Sequence, residues 1–210
     1  MLRITRKRAE KKSKKKTLPK RNKTTIAVFL VVIVIIVIAI MLIISKQPSE
    51  DEKNDNNGGE DFVFTLLDSS EKHLSDYRGK VVILDMWATW CGPCQFQMIE
   101  LKKVYENYSR NDLEIISVDI DPRESAQLIQ SFKDLFKQQI GVELDWIFGM
   151  DDGSISEKYM EEGAIPTLCI FDQKGGLHFR KAGVCVYSEI PLGYPEDTQL
   201  LAPIINDLID

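Results

Sequence analysis

The chain has 210 residues and a formal net charge of −5, with 27 Lys or Arg, 32 Asp or Glu, two His and four Cys. That total conceals an asymmetry: residues 1–25 carry twelve Lys or Arg against one acid, whereas residues 62–210 carry thirteen against twenty-five, about −12. A C-terminal region of that sign argues against polyanions as its partners and is repelled by anionic head groups.

The basic block at residues 1–25, read alone, suggests a nucleic-acid or lipid patch. Residues 26–44 change that reading, because they form nineteen consecutive positions without a charge, Pro or Gly. At about 1.5 Å per residue they span roughly 28 Å, close to the hydrocarbon thickness of a bilayer. A soluble helix keeps a polar face, and a signal peptide has a shorter apolar region ending at small residues. The pattern therefore predicts one uncleaved transmembrane helix at the plasma membrane. The basic tail predicts a cytoplasmic N-terminus and an extracytoplasmic remainder. No aromatic residue interleaves the basic ones, which leaves no stacking platform for nucleic acid.

Residues 45–61 are polar, acidic and free of aliphatic side chains, as expected of a flexible linker. Residues 62–210 are enough for one domain with its own core, and contain no internal repeat. Residues 62–66 and 73–74 read as a strand pair around the polar turn 68–71. Val81 to Met86 is a continuous apolar run, expected of a strand covered on both faces. A helix is predicted from Cys91 or Gly92 to about Tyr108, with Phe96, Ile99, Leu101, Val104 and Tyr108 on or near its apolar face. Leu113 to Val118 is the next strand, and Ser125 caps a helix running to Phe136. A brief strand at 146–148, a short helix at 155–160 and a hairpin of 167–171 with 177–184 follow. Residues 195–208 close the chain as a helix, with Pro195 suited to its start. Strands alternating with helices and ending in a hairpin predict an α/β fold with a mixed central sheet flanked by helices, the thioredoxin architecture.

Trp90-Cys91-Gly92-Pro93-Cys94 carries the chemistry. At a helix N-terminus, unpaired N–H groups and the helix dipole favour a thiolate, so Cys91 is the expected attacking sulfur, with a pKa that can fall from about 8.5 to roughly 7 or lower. Cys94 lies within one turn and can resolve a mixed disulfide. Pro93 suits a first helical turn, Gly92 admits a partner backbone, and Trp90 supplies an apolar platform. Structural zinc wants four ligands, and the chain offers only isolated Cys169, Cys185, His73 and His178 beyond this pair, so no metal or other cofactor is expected besides the redox-active Cys91–Cys94 disulfide.

Asp85 is the only ionisable group between Val81 and Trp90. Burial should raise its pKa and let it accept the Cys94 proton; a strand-end Asp bonded to backbone is the alternative. Ile165-Pro166-Thr167 opens the hairpin strand, since Pro donates nothing to a sheet; its peptide bond can be cis or trans. Setting Phe171 opposite Leu177 places Cys169 opposite Phe179 and Cys185 too far away for a bond, so both thiols are expected as buried apolar groups. His73 and His178 read as surface strand residues.

Residues 85–94 (DMWATWCGPC), with Asp76-Tyr77-Arg78-Gly79-Lys80, Ile165-Pro166-Thr167 and the turn from Phe171 to Gly176, resemble the thioredoxin superfamily, in particular its membrane-anchored TlpA/ResA-like thiol–disulfide oxidoreductases. The resemblance covers most of residues 62–208. It implies Cys91 as nucleophile, Cys94 as resolving thiol, Asp85 as the buried acid, and Pro166 as a cis-proline beside the disulfide, with Ile165 and Thr167 next to the substrate. It also implies protein disulfides as substrates, apocytochrome c cysteines among them, and a membrane-embedded thiol carrier as electron donor. Three departures stand out: many relatives of this branch have Asn where this chain has Asp85, some have a Glu at the position of Gln97, which would rest proton handling more heavily on Asp85, and Ile99 replaces a helix-kinking Pro, which predicts a straighter helix. A thiol peroxidase, a copper chaperone and a non-catalytic binding module remain as alternatives on the same fold.

Overall fold

The structure is a computed structural model that describes residues 32–33, 36–37 and 59–209. The chain divides into two units, Met1–Asn54 and Asp55–Asp210. In the first, residues 32–33 and 36–37 are helical and exposed. The rest of the predicted 26–44 span, the basic tail, and the linker up to residue 58 lie outside the described residues. Among the described residues no helix is long and apolar enough to cross a membrane.

The second unit is built on seven strands: β1 Val63–Leu66, β2 Glu71–His73, β3 Val81–Trp87, β4 Leu113–Asp119, β5 Ile147–Met150, β6 Thr167–Phe171 and β7 Leu177–Ala182. Four α-helices accompany them, α1 Gly92–Asn107, α2 Ala126–Ile140, α3 Ser154–Tyr159 and α4 Leu201–Ile209. The sheet order is β2-β1-β5-β4-β3-β6-β7. β3, β4 and β5 run parallel and every other pairing is antiparallel, so the sheet is mixed as predicted.

All seven residues of β3 are buried, which explains its unbroken apolar run. The pleat sends Val81, Ile83 and Trp87 into a core shared with α1, α2 and α4. Val82, Leu84 and Met86 enter a second core with Phe62, Phe64 and Tyr159 on the other face. Burying each such side chain stabilises the fold by roughly 1.5–3 kcal/mol. Asp85 follows the odd-numbered set and so lies on the α1 side.

Local signals account for several boundaries. The Ser125 Oγ accepts the Leu128 N–H at 3.3 Å and starts α2 as predicted. That helix continues past Phe136 to Ile140, where Gly141 takes the left-handed conformation at φ 77°. Gly149 in β5 marks a close approach: a Cβ there would meet the Phe64 ring at 2.6 Å and the Thr65 carbonyl at 3.0 Å. Gly149→Ala should therefore cost about 1–3 kcal/mol through forced displacement of β1. Urea denaturation checks this, and an unchanged midpoint would contradict it.

Four sequence expectations need correction. Leu74 opens a 3-10 turn over Leu74–Tyr77 rather than ending a strand. The buried stripe of α1 runs through Cys94, Met98, Leu101 and Val104, with Ile99 and Tyr108 packed against the same core, while Phe96 lies outside it, because the helix turns the Cys94 side toward the sheet. The β6–β7 register shifts between Ile170 and Phe171, so Cys169 faces Arg180, not Phe179. The last helix starts at Leu201 instead of Pro195. Residues 195–200 are held by the Thr198 N–H to Pro195 carbonyl bond and a bridge from Leu200 to Val186, and Pro203 sits in the first turn of α4, where an N–H needs no partner.

Candidate active site

Cys91 is the N-cap of α1, and the Cys94 N–H points at its Sγ at 3.2 Å. Gly92 and Pro93 occupy the first turn and are exposed; Cys91 is 4 % exposed and Cys94 fully buried. The two sulfurs are joined as a disulfide, with Cα atoms 5.2 Å apart. The helix runs from Gly92 to Asn107 without interruption at Ile99.

Ile165–Pro166 is a cis peptide. Thr167 pairs with Met86 of β3, which places this segment at the end of the sheet from which residues 88–91 emerge. The Thr167 hydroxyl donates to the Ala164 carbonyl at 2.6 Å, and Ile165 packs on the core that contains Cys91 and Cys94. Cys91, Cys94, Trp90, Gly92, Pro93, Ile165, Pro166 and Thr167 are thus gathered at one sheet end.

Asp85 lies two residues before the end of β3, fully buried. Burial pushes its pKa up to about 7, against the opposing effect of the Ser117 hydroxyl, which donates to Oδ2 at 2.9 Å. Ser117 in turn accepts the Trp146 indole N–H at 2.9 Å. Asp85 Oδ1 has no partner, so a proton there meets no competing protein donor. The backbone-bonded alternative for Asp85 is not what the structure shows. Ser117 and Trp146 were legible only as a polar break in one expected strand and the aromatic opening the next.

The loop carrying Trp90 is held from β4–α2. Glu124 accepts the Thr89 N–H at 3.2 Å and its hydroxyl at 2.7 Å, and Asp121 accepts the Trp90 indole N–H at 2.8 Å. Arg123 clamps Asp121 through two guanidinium nitrogens at 2.8 and 2.6 Å, which holds that carboxyl well below the usual range. Asp119 is shifted upward, by burial first and by Glu124 second. Trp90 itself is 62 % exposed. None of these carboxylates was singled out from the sequence, since their partners lie 31 and 35 positions away.

On α1, Gln97 Oε1 accepts the Cys185 N–H at 2.7 Å and Glu100 accepts the Tyr187 N–H at 2.9 Å. Gln97→Leu would leave the Cys185 N–H unpaired, at about 1–3 kcal/mol, while also removing the unpartnered Nε2. The expected net loss is about 1 kcal/mol by denaturant titration, and no loss would show that this bond does not hold residues 183–200. Cys169 and Cys185 are free and buried in opposite cores, as separate thiols. Burial pushes each up to about 12, so both stay protonated. His73 and His178 are exposed, and His73 lies 3.6 Å from Asp61. Among the described residues no group of three His, Cys, Asp or Glu is arranged to hold a metal ion.

A parallel three-strand centre, an antiparallel hairpin beside it, a Cys-x-x-Cys pair at the first helix and a cis-proline opposite define a thioredoxin-like α/β protein. The chain belongs to the AhpC/TSA family, whose family model matches residues 59–180. Over 116 residues it is 32% identical to the thiol-disulfide oxidoreductase ResA of Geobacillus kaustophilus, covering 55% of this chain and 62% of that protein. The chain thus spans less than two thirds of the length of this relative. A thiol-disulfide isomerase from Corynebacterium glutamicum is similar in structure with a TM-score of 0.54 at 18% identity, over 74% of this chain and 98% of that one. The exposed lipoprotein thioredoxin Etrx1 of Streptococcus pneumoniae gives 0.50 at 22% identity, over 71% and 100%. These two structures show the shared fold.

Proposed function

We propose that this chain is a membrane-anchored thiol–disulfide oxidoreductase that exchanges or reduces disulfides of other proteins outside the cytoplasm. The observation that carries the reading is the Cys91–Cys94 pair at the start of α1, with the Cys94 N–H directed at the Cys91 sulfur. In the reduced protein that N–H and the helix N-terminus favour negative charge on Cys91 Sγ.

The Cys91 thiolate attacks one sulfur of a client disulfide, forming a mixed disulfide and releasing the other client sulfur as a thiolate that takes a proton from water. Cys94 then gives its proton to Asp85, whose pKa of about 7 suits it to the exchange, and attacks Cys91 Sγ. The mixed bond breaks, the second client thiolate leaves, and two electrons have passed to the client. A dithiol donor restores the reduced pair by the reverse sequence. The resemblance to ResA-like proteins suggests a membrane-embedded thiol carrier for that step, and apocytochrome c cysteines among the clients. The basic tail and the apolar 26–44 segment support a single-pass anchor with the N-terminus in the cytoplasm.

The test is a Cys94→Ser protein expressed in cells. It should accumulate client proteins bound through Cys91, recovered as complexes that separate on reduction. Absence of such complexes, with the variant folded and Cys91 no faster toward iodoacetamide than free cysteine, would overturn the reading.

A further inference from the structure

The charge of the second unit is unevenly placed about the sheet. β3, β4, β5 and β7 end, and β6 begins, on the same side, so residues 88–91, 119–125, 151–153 and 160–166 lie at the end of the sheet that holds the disulfide, and residues 183–200 leave from it. The four segments at this end carry seven acids, among them Asp119, which burial shifts upward, and one base, Arg123, which is already bound to Asp121. The connecting segments at the opposite end, residues 67–70, 78–80, 108–112, 141–146 and 172–176, carry five acids and four bases. The negative potential is therefore concentrated where a client must dock.

Two features give this end a shape. Five of the seven acids, Asp119, Asp121, Glu124, Asp151 and Asp152, line one cleft of about 380 Å³, and the Oδ2 of Asp119, a residue 2 % exposed, has no hydrogen-bond partner. On the other side, residues 183–200 leave β7, with the Gly183 N–H bound to the Pro166 carbonyl at 2.8 Å, and fold back along α1. Tyr194 stacks on Phe96, two residues beyond Cys94, at 5.2 Å between ring centroids. This excursion bears Glu189, Glu196 and Asp197, all exposed, no base, and a fully exposed Leu192. It is thus an acidic excursion beside the start of α1 that carries an isolated apolar side chain.

We infer that this end selects client segments that are cationic and extended, carrying an apolar side chain near the reactive disulfide, with residues 183–200 as one wall of the docking surface. The inference rests on the thiol-exchange reading and adds the class of substrate to it. Opposite charge raises the encounter rate by about tenfold or more at low ionic strength, and salt removes the effect.

The experiment uses the full chain, reduced, with two synthetic peptides of equal length, each closed by one disulfide and carrying the same leucine. One peptide bears four Lys and the other four Glu at matching positions. At about 0.02 M salt the Lys peptide should be reduced about tenfold faster or more, and the gap should close by about 0.5 M. The triple variant Glu189→Lys, Glu196→Lys, Asp197→Lys should lose most of the preference. Equal rates for the two peptides, or a faster Glu peptide, would overturn the charge selection while leaving thiol exchange standing. An undiminished preference in the triple variant would remove residues 183–200 from the docking surface. Failure to reduce either peptide, together with inertness toward a small aromatic disulfide, would sink the exchange reading itself.

Discussion

Serine at position 91 should lower the rate of client-disulfide reduction on the order of a thousandfold or more, leaving the fold intact. A serine hydroxyl does not ionise near neutral pH, so the Cys94 N–H and the first turn of α1 would face a neutral oxygen instead of an anion. Cys94 cannot substitute, because it is fully buried behind Cys91. Cys94→Ser should behave differently: attack continues and the mixed disulfide stalls. Rapid-quench mass spectrometry separates the two, showing no adduct for the first variant and a persistent one for the second. A Cys91→Ser protein that still formed adducts through Cys94 would reverse the assignment.

Asp85→Asn should alter both stability and rate with pH. The native carboxyl titrates near 7 because burial penalises its charge, while an unfolded Asp titrates near 3.8. Between those values the native state holds a proton that the unfolded state has released, so native stability falls as pH rises from about 4 to about 7 and is level above that. Asn carries no charge to bury. The variant should therefore be the more stable protein above pH about 7, by at most about 4 kcal/mol, with the advantage disappearing near pH about 4. If Asp85 takes the Cys94 proton as proposed, the resolution step should slow at neutral pH and lose a rise in rate through about 7. Denaturant titrations at several pH values and stopped-flow decay of the mixed disulfide measure the two effects. Stability and rate profiles that coincide with the parent between about pH 6 and 9 would remove Asp85 from the mechanism.

The two results bear on different parts of the site. Cys91 acts through a local arrangement, a thiol capping the helix that its own sequence begins. Asp85 acts through its surroundings: Ser117 on the neighbouring strand, Trp146 behind it, and the α1 face that removes it from water. Its carboxyl is ordinary by composition and unusual only by placement.

The difference between readable and unreadable features follows the same division. The Val81–Trp87 run, the helix opened by Cys91-Gly92-Pro93-Cys94, the Ser125 cap and the strand beginning after Pro166 were all evident in the chain, because each depends on residues within a few positions of one another. The mixed sheet followed from the order of those elements. The bulge that sets Cys169 against Arg180 did not, since pairing register is decided by how two strands pack on both cores. Nor did the start of α4, where a Pro-led segment with helical composition is instead tied to Val186.

By itself the amino-acid sequence determined that a dithiol would sit at a helix N-terminus beside a buried acid in a mixed α/β sheet, because capping, periodicity and apolar runs act over single turns and strands. Tertiary structure alone decided what surrounds that dithiol. Glu124 and Asp121 reach Thr89 and Trp90 across 35 and 31 positions, and Gln97 holds Cys185 across 88. Such pairs arise only when sheet order brings distant loops to one end, since hydrogen bonds and charges act through space and leave no periodic trace along the chain.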